Sequence, residues 1–251
     1  MKVEYFKEYS HVLGRDMEYK VYGHAGKPCL AFPTQNGRFY ELEDRGLIGS
    51  IASYIEAGRI QVFCVDGIDS ESFSATWKNT KDRIEAQERY YNYIINELVY
   101  RIYDINAYGN GGNYASGLMT IGCSLGAYQA LNFFLRRPDI FNNVIGLSGV
   151  YHSGFFFQDY ADELTFLNSP LDTLRCMDQA HHYLDLYRKS NIILCVGSGA
   201  YELESISETK AMEYELSRHH IPAWVDYWGS DMMHDWPAWI KQLPYFLQYV
   251  V

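Results

Sequence analysis

The sequence predicts an α/β fold: a mainly parallel central sheet with helices on both faces. Short continuous apolar runs recur along the chain, as in strands buried on both sides. Between them lie stretches whose apolar residues fall on one helical face, and alternation of the two element types builds a parallel sheet. The chain is 251 residues long, 48% hydrophobic and 21% charged, enough for one full core. It therefore reads as a single domain from residue 1 to 251.

The strands come in order. MEYKVYG (17–23) alternates as a half-buried edge strand does, and PCLAFP (28–33) and IQVFCVD (60–66) are continuous apolar runs. LMTIGC (118–123), NVIGLSGVY (143–151) and NIILCVG (191–197) follow, and AWVDYWG (223–229) closes the set. Helical stripes fall at 40–57 (Leu42, Leu47, Ile51, Tyr54, ending at Gly58), at 82–103 (Tyr91, Ile94, Ile95, Leu98, Val99, Ile102) and at 207–219, which Pro222 follows. Residues 152–190 are rich in aromatics and look helical, an insertion over one edge of the sheet and over the active site. No internal repeat or low-complexity stretch is present.

Charge excludes some functions. A formal net charge of −10 argues against nucleic acid and anionic membrane surfaces, which need a Lys/Arg excess. The N-terminal residues lack the apolar centre of a signal peptide, and no run approaches the roughly 20 apolar residues of a membrane span. Cys29, Cys64, Cys123, Cys176 and Cys195 form no CxxC pair, and most lie in apolar runs. They read as buried free thiols of a cytoplasmic protein, without a zinc site. AYGNGGNYASG (107–117) does not complete GxGxxG, and Pro28 stands where a phosphate loop needs Ser or Thr, so no nucleotide cofactor is expected.

The chemistry concentrates at Gly122-Cys123-Ser124-Leu125-Gly126, a G-x-S-x-G between a strand and a helix. That is the setting of a nucleophile elbow, where small neighbours let a strained serine turn between crowded elements. The partners should then follow in the order acid, base. Past the run ending at Gly197, Glu202 is the first carboxylate and Glu204 the second, with Asp231 further on. His234, in GSDMMHDWPAW after the final strand, is the expected base. The oxyanion donors should be the backbone N–H of Leu125 and one from the loop PTQNGR, with Gln35 preferred to Thr34. His152, Trp228, Trp236 and Thr34 are candidate pocket residues. Elsewhere His219 and His220 end a helix, where an imidazolium would meet the last carbonyls. Asp66, Asp69 and Glu71 read as a solvated acidic loop, and no metal site is expected.

These phrases resemble the α/β-hydrolase superfamily, and within it the putative-esterase branch of esterase D-like and feruloyl-esterase-like proteins. The resemblance rests on YKVYGHAGKPCLAFPTQNG, VFCVDGIDSESF, GCSLGAYQALNFFLRRPDIF, VGSGAYE and SDMMHDWPAWIKQLPYF, from about residue 17 to 246. It implies a cofactor-free serine hydrolase of carboxylic esters or thioesters, with Ser124 at the nucleophile position, His234 at the base and Glu202 near the acid. Many relatives carry aspartate at the acid and His-Gly at the oxyanion loop, where this chain has glutamates and Pro33-Thr34. The expected function is a carboxylesterase for a small or aromatic acyl group. An acyltransferase or thioesterase on the same site, or a binding protein on a hydrolase scaffold, are the other readings. A small-molecule ester is the expected partner, and exposed aromatics make a homodimer plausible.

Overall fold

The computed structural model describes residues 1–251. Eight strands form one sheet: β1 (Val3–Ser10), β2 (Arg15–Tyr22), β3 (Lys27–Phe32), β4 (Ile60–Val65), β5 (Leu118–Cys123), β6 (Phe141–Leu147), β7 (Asn191–Val196) and β8 (Trp224–Tyr227). Their spatial order is β1-β2-β4-β3-β5-β6-β7-β8. β1–β2 and β2–β4 pair antiparallel, and every later pairing is parallel.

The continuous apolar runs have a direct cause. Along β3, Leu30 and Phe32 enter one core cluster while Cys29 and Ala31 enter the other; along β7, Ile192 and Leu194 part from Ile193 and Cys195 in the same way. Alternate side chains point to opposite faces of a strand, and here helices cover both. α6 (Leu125–Arg136) and α11 (Leu203–Arg218) supply Phe133, Phe134, Met212 and Leu216 to the first cluster. α12 (Trp236–Leu247) supplies Trp239, Leu243 and Phe246 to the second.

Four expectations differ from the structure. β1 was not foreseen: one of its faces is open to solvent, and the charges of VEYFKEYS mask its alternation. The 40–57 stripe is not one helix but α1 (Glu41–Asp44), α2 (Leu47–Ser50) and α3 (Ala52–Glu56), broken first by Gly46 at φ +84° and again at Ile51, whose φ −111°, ψ 12° is not helical. The run at 143–151 leaves the sheet at Leu147, since Ser148 turns to φ +53°. The insertion comprises α7 (Gly154–Phe157), α8 (Glu163–Leu167), α9 (Pro170–Arg175) and α10 (Tyr183–Tyr187). It rides on the helical layer of α4 (Thr80–Tyr93), α6 and α11, not on an edge of the sheet. The 82–103 stripe is a continuous helix from α4 to α5 (Val99–Gly109) through one π turn at Ile94–Leu98.

All five cysteines are free, but only four are buried; Cys176, after α9, is exposed. No helix is long and apolar enough to cross a membrane.

The parallel register positions the site. Phe32 lies opposite Gly122, Cys123 opposite Leu147, and Leu147 opposite Cys195. The loops after β3, β5, β6 and β7 therefore leave the sheet side by side at its carboxyl edge, where open α/β sheets carry their sites.

Candidate active site

Ser124 stands between β5 and α6 at φ +56°, ψ −122°, a strained position that only over-determined surroundings maintain. The flanking glycines show why the sequence must read G-x-S-x-G. A Cβ on Gly122 would lie 2.2 Å from the backbone of Gly126, and one on Gly126 would lie 2.6 and 2.7 Å from the carbonyl oxygens of Phe32 and Pro33. The strand, the helix and the β3 loop meet here with no room for a methyl group. The Ser124 N–H donates to the Leu147 carbonyl at 2.9 Å, and the Ser124 carbonyl accepts from the Ala127 N–H at 3.0 Å.

Three side chains from separate loops converge. His234 Nε2 lies 2.9 Å from Ser124 Oγ, and His234 Nδ1 lies 3.1 Å from Glu202 Oε2. Glu202 is fully buried at the start of α11, whereas Glu204 and Asp231 are exposed. Glu202 Oε1 accepts a hydrogen bond from Ser148 Oγ at 2.6 Å. The loops are tied as well, since the His234 N–H donates to the Ala200 carbonyl at 3.0 Å. The imidazole also packs edge-to-face on Trp239, with centroids 5.2 Å apart.

From Pro33 to Gly37 the loop after β3 engages every backbone donor but one. The Thr34 N–H donates to Glu41 Oε2 at 2.9 Å and the Asn36 N–H to Asp69 Oδ2 at 2.8 Å. The Gly37 N–H turns back to the Thr34 carbonyl, and Pro33 has no N–H. Gln35 is left with an N–H that no protein acceptor takes, as is Leu125 at the first turn of α6. The crowding of Gly126 against Pro33 brings these two segments together.

Other candidates take different places. The Thr34 hydroxyl is engaged by Glu41 at 2.9 Å, so the side chain holds the loop rather than facing a ligand. His152 Nε2 lies 3.0 Å from Asp172, and its Nδ1 accepts from the Gly154 N–H, turning the ring toward the insertion. Trp228 donates to Asp226 and packs on Tyr245 and Phe246 of α12. Trp236 packs on Trp239 beneath the Arg45 guanidinium. The rings of the insertion divide. Phe156 and Phe157 are buried with Phe73, Tyr128 and the Leu125 side chain, while Phe155 and Phe166 are exposed. Ser124 itself is half-buried at the carboxyl edge of the sheet.

Two sequence readings are corrected. The acidic stretch is solvated only at Glu71, which is partly exposed beside Arg15: Asp66 is buried and accepts from Arg38 Nε and the Phe39 N–H, and Asp69 is buried against the Asn36 N–H. Burial pushes the Asp69 carboxyl up to about 7, with the nearby Glu41 charge adding to the rise. His219 is no capping cation either. It is fully buried, its Nε2 lies 2.8 Å from the Leu174 carbonyl, and burial lowers its proton affinity. Sequence reasoning gave no supporting role to Ser148, Trp239, Glu41 or Asp69, although Asp69 and Trp239 lie within phrases that carry the family resemblance.

The model of the family described as "Putative esterase" matches residues 10–249. No curated protein matches the chain. Among solved structures, a ferulic acid esterase is similar with a TM-score of 0.74 at 14% identity, covering 99% of this chain and 97% of its own. An S-formylglutathione hydrolase from Agrobacterium tumefaciens gives 0.72 at 13% identity, with 98% and 93% covered. The ferulic acid esterase AmCE1/Fae1A of Anaeromyces mucronatus gives 0.67 at 11% identity, with 98% and 89% covered. At these identities the structural likeness establishes the α/β-hydrolase fold.

Proposed function

The chain belongs to the putative-esterase family and is a carboxylic ester hydrolase, and from that premise we propose that Ser124, His234 and Glu202 are its catalytic triad, acting on a small or aromatic acyl ester. The observation that carries the reading is the unbroken hydrogen-bond relay from Ser124 Oγ through the imidazole to a fully buried carboxylate.

In this reading His234 Nε2 takes the Ser124 proton as Oγ attacks the ester carbonyl carbon. The negative charge that develops on the carbonyl oxygen meets the unengaged N–H groups of Leu125 and Gln35. Glu202 holds the proton of the imidazole on Nδ1, so that Nε2 is free to accept. The tetrahedral adduct collapses, the C–O bond to the alcohol breaks, and the imidazolium protonates the departing alkoxide. Water then repeats the sequence on the acyl-enzyme, which returns the acid and the free serine. The rings of Phe73, Tyr128, Phe156 and Phe157, packed around Leu125, favour a short acyl chain. Free thiols, four of them buried, favour a reducing compartment, and we place the protein in the cytoplasm.

Intact mass after a fluorophosphonate probe, on wild type, Ser124→Ala and His234→Ala, tests the assignment. One adduct on wild type, none on Ser124→Ala and slowed labelling of His234→Ala are expected, followed by turnover of short aryl esters over long-chain ones in a panel that includes thioesters. An unlabelled wild type, or an adduct that survives in Ser124→Ala, would overturn it.

A further inference from the structure

The triad carboxylate is bound twice. Glu202 Oε2 faces His234, and Oε1 takes the Ser148 hydroxyl at 2.6 Å, the shorter of the two contacts. Ser148 in turn is held at every polar atom. Its N–H donates to the Cys195 carbonyl at 2.7 Å, its carbonyl accepts from Ser205 Oγ at 3.1 Å, and its Oγ accepts from Trp239 Nε1 at 3.0 Å. The residue is fully buried and sits at φ +53°, a conformation that side-chain-bearing residues rarely adopt.

Proton direction follows from these partners. An indole N–H only donates. Trp239 therefore fills an acceptor position on Ser148 Oγ, and the one proton of the hydroxyl is left for Glu202. Trp239 also presents its ring to the edge of His234, so a single side chain touches the base and orients the group that holds the acid. We infer that Ser148 and Trp239 are positioning residues of the triad, fixing which oxygen of Glu202 faces His234.

The geometry gives this a physical purpose. A glutamate has one more rotatable bond than an aspartate, and an unanchored carboxylate would share its population among several orientations toward the imidazole. The second anchor removes that freedom. The strained turn at Ser148 places its hydroxyl there, and strain of this kind persists where the surroundings over-determine it.

The inference rests on the triad assigned above, and the test separates the two. Ser148→Gly is the variant of choice, because glycine adopts φ +53° without steric cost while the hydroxyl is lost. With a short aryl ester, kcat is expected to fall about ten- to a hundredfold, the worth of a hydrogen bond to a charged group. KM should stay within about twofold, and fluorophosphonate labelling of Ser124 should slow in parallel. Trp239→Phe keeps a ring beside His234 and removes the N–H, so it should lower kcat less, again without raising KM; it decides the matter where Ser148→Gly fails to melt cooperatively. A Ser148→Gly enzyme with wild-type kcat, or a rise in KM that accounts for the whole loss, would overturn the inference and leave the triad standing. A wild type with neither turnover nor labelling would overturn both.

Discussion

Replacement of Glu202 by glutamine separates geometry from charge at the acid. The two side chains have the same shape, so the buried volume is unchanged, and what changes is which atoms can accept. Ser148 Oγ is already an acceptor for Trp239 Nε1 and sends its own proton to Glu202 Oε1 at 2.6 Å. In Glu202→Gln the amide oxygen must take that place, since an NH₂ group there would face a hydroxyl proton with nowhere else to go. The NH₂ group then faces His234 Nδ1, which lies 3.1 Å from the present Oε2. A donor at that position turns Nδ1 into an acceptor and places the imidazole proton on Nε2, pointing at Ser124 Oγ. The base is then held in the tautomer that cannot accept the serine proton. The corresponding loss in a Ser-His-Asp enzyme is about 10⁴ in kcat, or ~5.5 kcal/mol of barrier, and the same order is expected here. The assay is steady-state hydrolysis of a short aryl ester with the fluorophosphonate labelling rate measured in parallel, plus a thermal melt to show that the fold is retained. Glu204→Gln, on an exposed side chain, is the control and should retain wild-type turnover. A Glu202→Gln enzyme within tenfold of wild type, or a comparable loss in Glu204→Gln, would refute the reasoning.

Two further outcomes are expected. Asp69, buried and raised from 3.8 to about 7, contributes stability that is fully present below its ordinary value and is lost as pH rises through 7, by up to about 4 kcal/mol for three pH units. Asp69→Asn, whose carbonyl can still accept the Asn36 N–H, should flatten the fall in stability between about pH 4 and 7; parallel wild-type and variant profiles in denaturant melts would contradict this. Gly126→Ala puts a methyl group 2.6–2.7 Å from the Phe32 and Pro33 carbonyl oxygens, which should cost about 1–3 kcal/mol by overpacking and lower kcat by moving the Gln35 N–H. A melt and turnover like those of wild type would show that the loop approaches the elbow less closely.

The sheet and the elbow were legible because their causes are local. A strand buried on both faces reads as an apolar run, and a serine that must turn between β5 and α6 needs glycine at 122 and 126. The placing of Ser124, Glu202 and His234 was equally legible, since each sits just past a strand whose end the sequence marks. Parallel register then does the rest without any further signal: it sets the ends of β3, β5, β6 and β7 side by side. β1 and the break at Gly46 were missed for the opposite reason. β1 has an open face whose charges hide the period, and one glycine inside a helical stripe does not announce that its φ will be positive.

The supports of the site were illegible for a different reason, and the contrast says something about how such a site is specified. Asp69 acts on a residue 33 positions away, Ser148 on one 54 away and Trp239 on one 91 away. No spacing rule links such pairs, and each residue taken alone reads as an ordinary acid, turn serine or core ring. What selects them is the state of the partner. A fully buried carboxylate with one oxygen on His234 leaves the second oxygen requiring a donor, and the backbone donors on either side of Gln35 each find a buried or half-buried carboxylate. Thr34 and Asn36 are spent on Glu41 and Asp69, and the Gln35 N–H between them stays unengaged. The residues proposed to carry the chemistry are thus marked in the sequence by the turns they need, whereas those proposed to aim them are marked only by the hydrogen-bonding demands of the folded site.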